Sequence, residues 1–358
     1  MRNIVSVLIP TYNRKNLLKV CLQSVLSQSY KNLEIIVIDD ASSDPIDEIV
    51  NDFQDPRIKL IKNKKNIGSL KGDREHFRRF VYELMTGEYF IYITDDDYWP
   101  DKDFLKKAVN IFENNQNVSS VVGSQLSEFF EKEEDLECLS FEEVKTISKN
   151  PYLDEKFYYF KDLFQTGYLN GNDFLCKFSK NATSYNISIT ASLRRKSHCI
   201  NCNYLIANNP SKWQGGYEYH IVPALKHDIY FINEPCVVAR IHKNNASFRF
   251  TQFDHYIDSV QSILNSFENI NKFDIENKKI KDLLNIKKEF LRSLSIAYLY
   301  NTFSILRGNK LSLTSRENNQ RYVTVIDILK IYKENKILVN FKELSLFFTY
   351  FGLKFIKS

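Results

Sequence analysis

The sequence predicts an α/β fold: a mostly parallel sheet flanked by helices, followed by a helical C-terminal region. Three observations carry this reading. Apolar, β-branched runs of strand length alternate with helix-period segments through the first hundred residues. Three of those runs end in polar clusters, Thr11-Tyr12-Asn13, Asp39-Asp40 and Asp95-Asp96-Asp97. Beyond about residue 250 strand signals fade, and Leu and Ile recur at helical spacing. Alternating strands and helices give a parallel sheet covered on both faces. Its strand ends share one edge, so the three clusters can line one crevice.

Ile4 to Ile9 is the first strand, stopped by Pro10. Leu17, Leu18, Cys21, Leu22, Val25 and Leu26 put one face of a helix on the sheet. Leu33 to Ile38 is a second strand, apolar apart from Glu34. Ser42-Ser43-Asp44-Pro45 opens a second helix carrying Ile46, Ile49, Val50 and Phe53. Ile58 to Ile61 is a short third strand, and Phe77, Phe80, Val81 and Leu84 mark a helix closed by Gly87. Tyr89 to Ile93 is the fourth strand, and it breaks at once into the aspartate triplet.

Packing alone does not place three adjacent carboxylates together, because they repel. A divalent cation relieves the repulsion, since hard cations take oxygen ligands. A solvated acidic turn capping the next helix is the plainer alternative. Convergence of three polar strand ends favours a site.

Further on, Phe104, Leu105, Ala108, Val109 and Phe112 make a helix and Val118 to Val122 a strand. The acidic stretch from Glu128 to Glu143 reads as a solvated, mobile excursion. The aromatics Phe157 to Phe160 and Phe164 read as core rather than a sugar-stacking platform. Asn186 to Leu193 is a strand ending in Arg194-Arg195, a helix starts at Tyr219, and strands follow at Ile229 to Ile232 and Val237 to His242. Ile263, Leu264, Phe267, Leu283, Leu284, Ile286, Phe290, Leu291 and Leu294 supply the inner faces of the C-terminal helices. The expected domains are 1–250, with halves 1–110 and 111–250, and a helical region 251–358.

The 358 residues carry a formal net charge of +5. From Asn301 onward ten basic residues face four acidic ones, so the excess sits in the tail and the body is near neutral. That argues against a nucleic-acid partner. The apolar, basic segment 341–358 suggests a peripheral contact with an anionic membrane, against the plainer reading of a docked last helix. Ile4 to Ile9 is too short for a signal core, and no run approaches the roughly 18 apolar residues of a membrane span. The expected location is cytoplasmic, on or near the inner membrane face. Six scattered cysteines fit reduced thiols, and Cys199-x-x-Cys202 lacks a second pair at zinc-site spacing.

The motifs, taken in order, resemble the opening of a family 2 glycosyltransferase. The residues are Val5 to Arg14 (VSVLIPTYNR), Ser24 to Gln28 (SVLSQ), Ile36 to Ser42 (IVIDDAS), Asn66-x-Gly68, and Gly87-Glu88-Tyr89 followed by the aspartates. The resemblance is strong over about residues 3–110, weaker to about 250, and absent from the tail. It implies a GT-A fold, a nucleotide-diphospho-sugar donor, a glycan or lipid-linked glycan acceptor, Mg²⁺ or Mn²⁺, and inversion at the anomeric carbon. Pro10, Thr11, Tyr12, Asp40 and Asp95 would bind the donor. Thr11 and Tyr12 would flank the base, and Asp40 would accept from it. The triplet matches the family's Asp-x-Asp element in one of two registers: Asp95 on the ribose with Asp96 on the metal, or Asp95 paired with Asp97. Asp96, Asp97 and His242 form the candidate metal set. Arg240-Ile241-His242 resembles a late basic element that approaches the diphosphate.

The family's general base is a carboxylate in the second half, often in a Glu-Asp pair. That pair is missing here, and Glu218 in Gly215-Gly216-Tyr217-Glu218 is the nearest candidate. A first-turn acid favoured by the helix dipole is its plainer reading. Two other functions compete. A sugar nucleotidyltransferase needs a glycine-rich loop after the first strand, and Pro10 to Asn13 has no glycine. A degenerate subunit that binds without catalysis fits the altered Asp-x-Asp element and the missing pair.

Overall fold

The structure, a computed structural model, describes residues 3–67, 82–130, 136–149, 157–159, 164–181, 187–201, 216–242, 245, 252–268, 277–306, 325–335 and 337. The chain divides into two compact units, Met1–Leu175 with Ser184–Lys243, and Cys176–Thr183 with Asn244–Ser358.

The first unit opens with β1 (Val5–Thr11), α1 (Lys15–Leu26), β2 (Leu33–Asp39), α2 (Ile46–Asp52), β3 (Ile58–Lys62) and β4 (Tyr89–Tyr92). Then come α3 (Phe104–Asn114), β5 (Val118–Phe129), α4 (Phe141–Lys149), β6 (Phe157–Tyr159), β7 (Gly167–Leu169) and α5 (Gly171–Lys180), whose residues from Cys176 onward belong to the second unit. A 3₁₀ turn, Ile189–Ala191, leads into β8 (Ser192–Arg195), α6 (Lys196–Asn201), α7 (Gly216–Ala224) and β9 (Asp228–Ile241). Among the described residues the strands form one sheet in the order β3-β2-β1-β4-β8-β5-β9-β7, with β6 beside β5.

The first four strands are parallel, as their alternation with helices predicts. The second half is mixed. β8 runs antiparallel to both β4 and β5, so β5 points the same way as β4, and β9 runs parallel to β5. The C-terminal ends of β1, β2, β4, β5 and β9 therefore share one edge. This brings His242, at the end of β9, to the edge that carries the aspartates.

The apolar faces of α1 and α3 cover the same core. Leu18, Cys21, Leu22 and Val25 join Val5, Val7 and Ile9 of β1, and Phe104, Leu105, Ala108 and Phe112 join Tyr89 and Ile91 of β4. Truncating such a leucine to alanine costs about 2–5 kcal/mol. Glu34 breaks the apolar run of β2, and the structure accounts for it. Its carboxylate accepts from Ser6 Oγ at 2.7 Å, Thr86 N at 2.9 Å and Lys59 Nζ at 2.7 Å, clipping β2 to β1, β3 and the segment before β4. Burial pushes this carboxyl up, but those donors outweigh it and hold the pKa below the usual value. Gly87 serves close packing and not a left-handed helix cap: a Cβ there would stand 2.6 Å from the Ile4 carbonyl oxygen.

Three expectations change. The acidic stretch is not solvated throughout. Glu128 belongs to a longer β5 and lies buried opposite Arg240, while Ser140 and Glu143 cap α4 reciprocally. The two late strands are one, β9, because the Asn233-Glu234-Pro235 interruption is absorbed by register shifts against β5. β8 is shorter than expected, since its first residues form the 3₁₀ turn. Phe157 and Phe164 are core, Phe164 packing on Phe174 and Phe231.

The second unit contains α8 (Gln252–Glu268), α9 (Asn277–Leu306) and α10 (Val325–Glu334). Ile263, Phe267, Leu283, Ile286, Phe290, Leu291 and Leu294 are buried as the spacing predicts. Leu284 is 46% exposed, because only one of two consecutive helical leucines can face inward. The segment 341–358 lies outside the described residues. Among the described residues no helix is long and apolar enough to cross a membrane.

Candidate functional site

The loops after β1 and β2 clasp each other. Asn13 and Ala41 take left-handed backbone, with φ of 53° and 62°. Asn13 Oδ1 accepts from Ser43 N at 2.7 Å, Asn13 N donates to Ser42 Oγ at 3.0 Å, and Asp40 N donates to the Thr11 carbonyl at 3.0 Å. Pro10 and Thr11 end the strand, Thr11 is buried, and Tyr12 stands at the rim with 45% of its surface exposed. Asp40 Oδ1 accepts from Asn63 Nδ2 at 2.8 Å and Ile67 N at 2.9 Å, which fixes its carboxylate beside this clasp.

The aspartates are all buried. Thr11 Oγ1 donates to Asp95 Oδ2 at 2.8 Å. Arg14 Nη1 reaches both Asp95 Oδ1 at 3.0 Å and Asp96 Oδ2 at 2.9 Å. His242 Nε2 lies 3.3 Å from the same Asp96 oxygen. The local backbone explains this meeting. Beyond β4 the chain pairs antiparallel with β9 through Tyr98 and Val238, exchanging hydrogen bonds at 3.1 and 2.9 Å. The aspartates are thereby laid along the last residues of β9.

Their acidities diverge. Burial and the Asp96 charge push Asp95 up to about 6, against the pull of Arg14 and Thr11. Burial also opposes ionisation of Asp96, but His242 and Arg14 hold it below the usual carboxylate range. Burial and the Asp96 charge push Asp97 up to about 8. One carboxylate in the triplet is thus held charged while its neighbours are held closer to neutral, as like charges in one site require.

The expected metal set is Asp96, Asp97 and His242. Asp97 Oδ1 is occupied by the backbone N–H of Arg240 at 3.2 Å. Among the described residues no three His, Cys, Asp or Glu side chains converge to hold an ion. Asp96 and His242 do meet, at an edge lined by carboxylates. A divalent ion such as Mg²⁺ takes one or two carboxylates plus substrate phosphates rather than an all-protein cage, so this donor set fits it.

Arg240 was expected near a diphosphate, and the structure buries it instead. Its guanidinium faces Glu128 at 3.4 Å, donates to the Glu137 carbonyl at 2.7 Å, and stacks over the Tyr98 ring at 4.4 Å. Its work is to lock the end of β9 against β5 and the aspartate loop. The residue that does reach the carboxylates is Arg14, which the sequence presents only as the last letter of a motif.

Glu218 is buried in the first turn of α7. Its neighbour Tyr219 ties that helix to β4 through an edge contact with Tyr92 at 6.1 Å. Asp228, the other carboxylate between Asn186 and Ile232, sits at the start of β9, away from the shared edge. It accepts from Gly171 N, Asn117 and Tyr168.

Comparison with known proteins agrees with this architecture. Residues 6–197 match the family described as Glycosyl transferase family 2. The chain is 38% identical over 96 residues to the UDP-Glc:alpha-D-GlcNAc-diphosphoundecaprenol beta-1,3-glucosyltransferase WfaP of Escherichia coli, 27% of this chain and 36% of that protein. It is 30% identical over 102 residues to the glycosyltransferase GlyA of Streptococcus pneumoniae, 28% of this chain and 14% of that one. It therefore spans about a third or less of the length of these curated relatives. Among solved structures, S. aureus TarS 1-349 in complex with UDP aligns over 87% of this chain and 76% of its own, with a TM-score of 0.53 and 17% identity. That likeness concerns the fold, which is GT-A. On the family match over more than half its length, the chain belongs to glycosyl transferase family 2.

Proposed function

We propose that this chain is an inverting glycosyltransferase that moves a sugar from a nucleotide-diphospho-sugar to a hydroxyl of a lipid-linked or surface glycan. The observation that carries this reading is the buried carboxylate cluster at the end of β4, held by Thr11, Arg14 and His242. Tyr12 at the rim and Asp40 beside it would receive the base, and Asp95 the ribose. Asp96 and His242 would hold Mg²⁺ or Mn²⁺, which when bound supplies Lewis-acid neutralisation of the departing diphosphate. The similarity to an enzyme acting on an undecaprenol-linked sugar supports the acceptor class.

The acceptor oxygen attacks the anomeric carbon from the side away from the diphosphate. The new C–O bond forms as the bond to the diphosphate oxygen breaks, and the electron pair leaves with the nucleoside diphosphate. Glu218 takes the hydroxyl proton as general base. A cytoplasmic position facing a membrane-borne acceptor, with contact through the basic apolar segment 341–358, fits this substrate class.

A panel of nucleotide sugars with Mn²⁺, read first by thermal stabilisation and then by the anomeric configuration of the transferred sugar, tests the reading. One donor should raise the melting temperature, since a ligand bound only by the folded state stabilises it, and should yield the inverted anomer. Stabilisation by no donor, or a retained anomer, would contradict it.

A further inference from the structure

Arg14 bridges two neighbouring buried carboxylates. A single nitrogen, Nη1, closes ion pairs with both Asp95 and Asp96, at 3.0 and 2.9 Å. The two carboxylates are almost wholly buried, whereas the arginine side chain is 21% exposed and reaches in from the rim. Adjacent buried carboxylates cannot both stay charged without a counter-charge. Arg14 supplies it to both carboxylates, with His242 on the same Asp96 oxygen.

A divalent cation competes for that place. Asp96 Oδ2 already engages Arg14 Nη1 and His242 Nε2, so an ion bound to that oxygen at about 2.0–2.1 Å competes with both for its lone pairs. An ion entering beside an unmoved Arg14 would also leave excess positive charge in a poorly solvated site. A diphosphate changes the balance. It brings negative charge for both cations, and its oxygens suit the planar guanidinium fork.

We propose that Arg14 is a placeholder cation. It neutralises Asp95 and Asp96, obstructs a divalent ion arriving alone, and passes to the diphosphate when ion and donor arrive together. Metal binding is thereby coupled to donor binding. The inference rests on the donor-site reading above.

The test is Mn²⁺ titration of the full chain, followed by electron paramagnetic resonance of the free ion, with and without UDP or GDP. Wild type should bind Mn²⁺ at least tenfold more tightly with one of the nucleotides than alone. Arg14→Gln should bind Mn²⁺ alone at least tenfold more tightly than wild type and gain less from the nucleotide. Arg14→Lys, which keeps the charge, should stay near wild type for Mn²⁺ alone. Equal Mn²⁺ affinity in wild type and Arg14→Gln, both sharpened by nucleotide, overturns the placeholder role and leaves the donor site standing. Should Arg14→Gln fail to fold, the wild-type titrations decide: tight Mn²⁺ binding without nucleotide overturns the inference. No Mn²⁺ binding under either condition overturns the donor-site reading as well.

Discussion

His242 Nε2 lies 3.3 Å from Asp96 Oδ2, although 146 positions separate the two residues in the chain. The pairing of Tyr98 with Val238, with β9 parallel to β5, brings the two segments alongside each other. Phe130 closes the other side of the imidazole, with ring centroids 4.9 Å apart. On the proposed reading these two side chains are the protein's ligands to the divalent ion. His242→Gln should weaken Mn²⁺ binding in the presence of nucleoside diphosphate by roughly ten- to a hundredfold, the range for disturbed metal shells. Unchanged affinity by the same titration would remove His242 from the ligand set.

Glu218 carries the proposed base. Glu218→Gln should lower turnover by roughly a hundredfold or more, the scale of general-base loss, with donor affinity little changed. Steady-state kinetics with separate donor binding checks this. Near-normal turnover would place the base elsewhere.

Arg194 and Arg195 follow one another in β8 and face opposite sides of the sheet. Arg195 donates to the Phe112 carbonyl at 2.8 Å and to Glu88 at 3.2 Å, and it lies over the Tyr89 and Phe112 rings. Arg194 is fully buried over Tyr219, and among the described residues none of its three guanidinium nitrogens has a hydrogen-bond partner. A buried charge without a counter-ion is costly, and apolar replacement of buried ionic groups can stabilise by about 1–4 kcal/mol. Arg194→Met should therefore raise the melting temperature by several degrees, measured calorimetrically without ligand. A lower melting temperature would mean that the cation is compensated in the folded protein.

Glu34 makes a pH-dependent contribution. Its folded pKa lies below the ordinary glutamate value of 4.5, so the unfolded chain takes up its proton first as pH falls. The stabilisation is fully present above about pH 4.5 and is lost as pH drops through the folded value. Glu34→Gln should cost about 1–3 kcal/mol at pH 7, and the gap to wild type should narrow steadily below pH 4.5. Denaturant unfolding at several pH values checks it; a gap independent of pH would show that the ion pair and hydrogen bonds do not stabilise the fold.

The first half of the fold was legible because its strands and helices have clean periods and its polar residues fall at strand ends. Leu18, Cys21, Leu22 and Val25 could be placed on the core from spacing alone. The second half was harder. A strand interrupted at Asn233-Glu234-Pro235 reads as two, and the role of β8 in reversing direction leaves no local mark. Arg240 was misread for a related reason: an arginine beside a histidine at a strand end looks like a phosphate contact, and only the register against Glu128 shows that it points inward. Arg14 left no local mark, because its two carboxylate partners lie 81 and 82 residues away in the chain.

The most direct test of the donor site is release of nucleoside diphosphate from a nucleotide sugar, measured with Mn²⁺, with EDTA, and with Asp96→Asn. Wild type should release it only with the metal, and Asp96→Asn should be inactive under both conditions while unfolding with wild-type cooperativity. Full release in EDTA, or by a folded Asp96→Asn protein, would contradict the account.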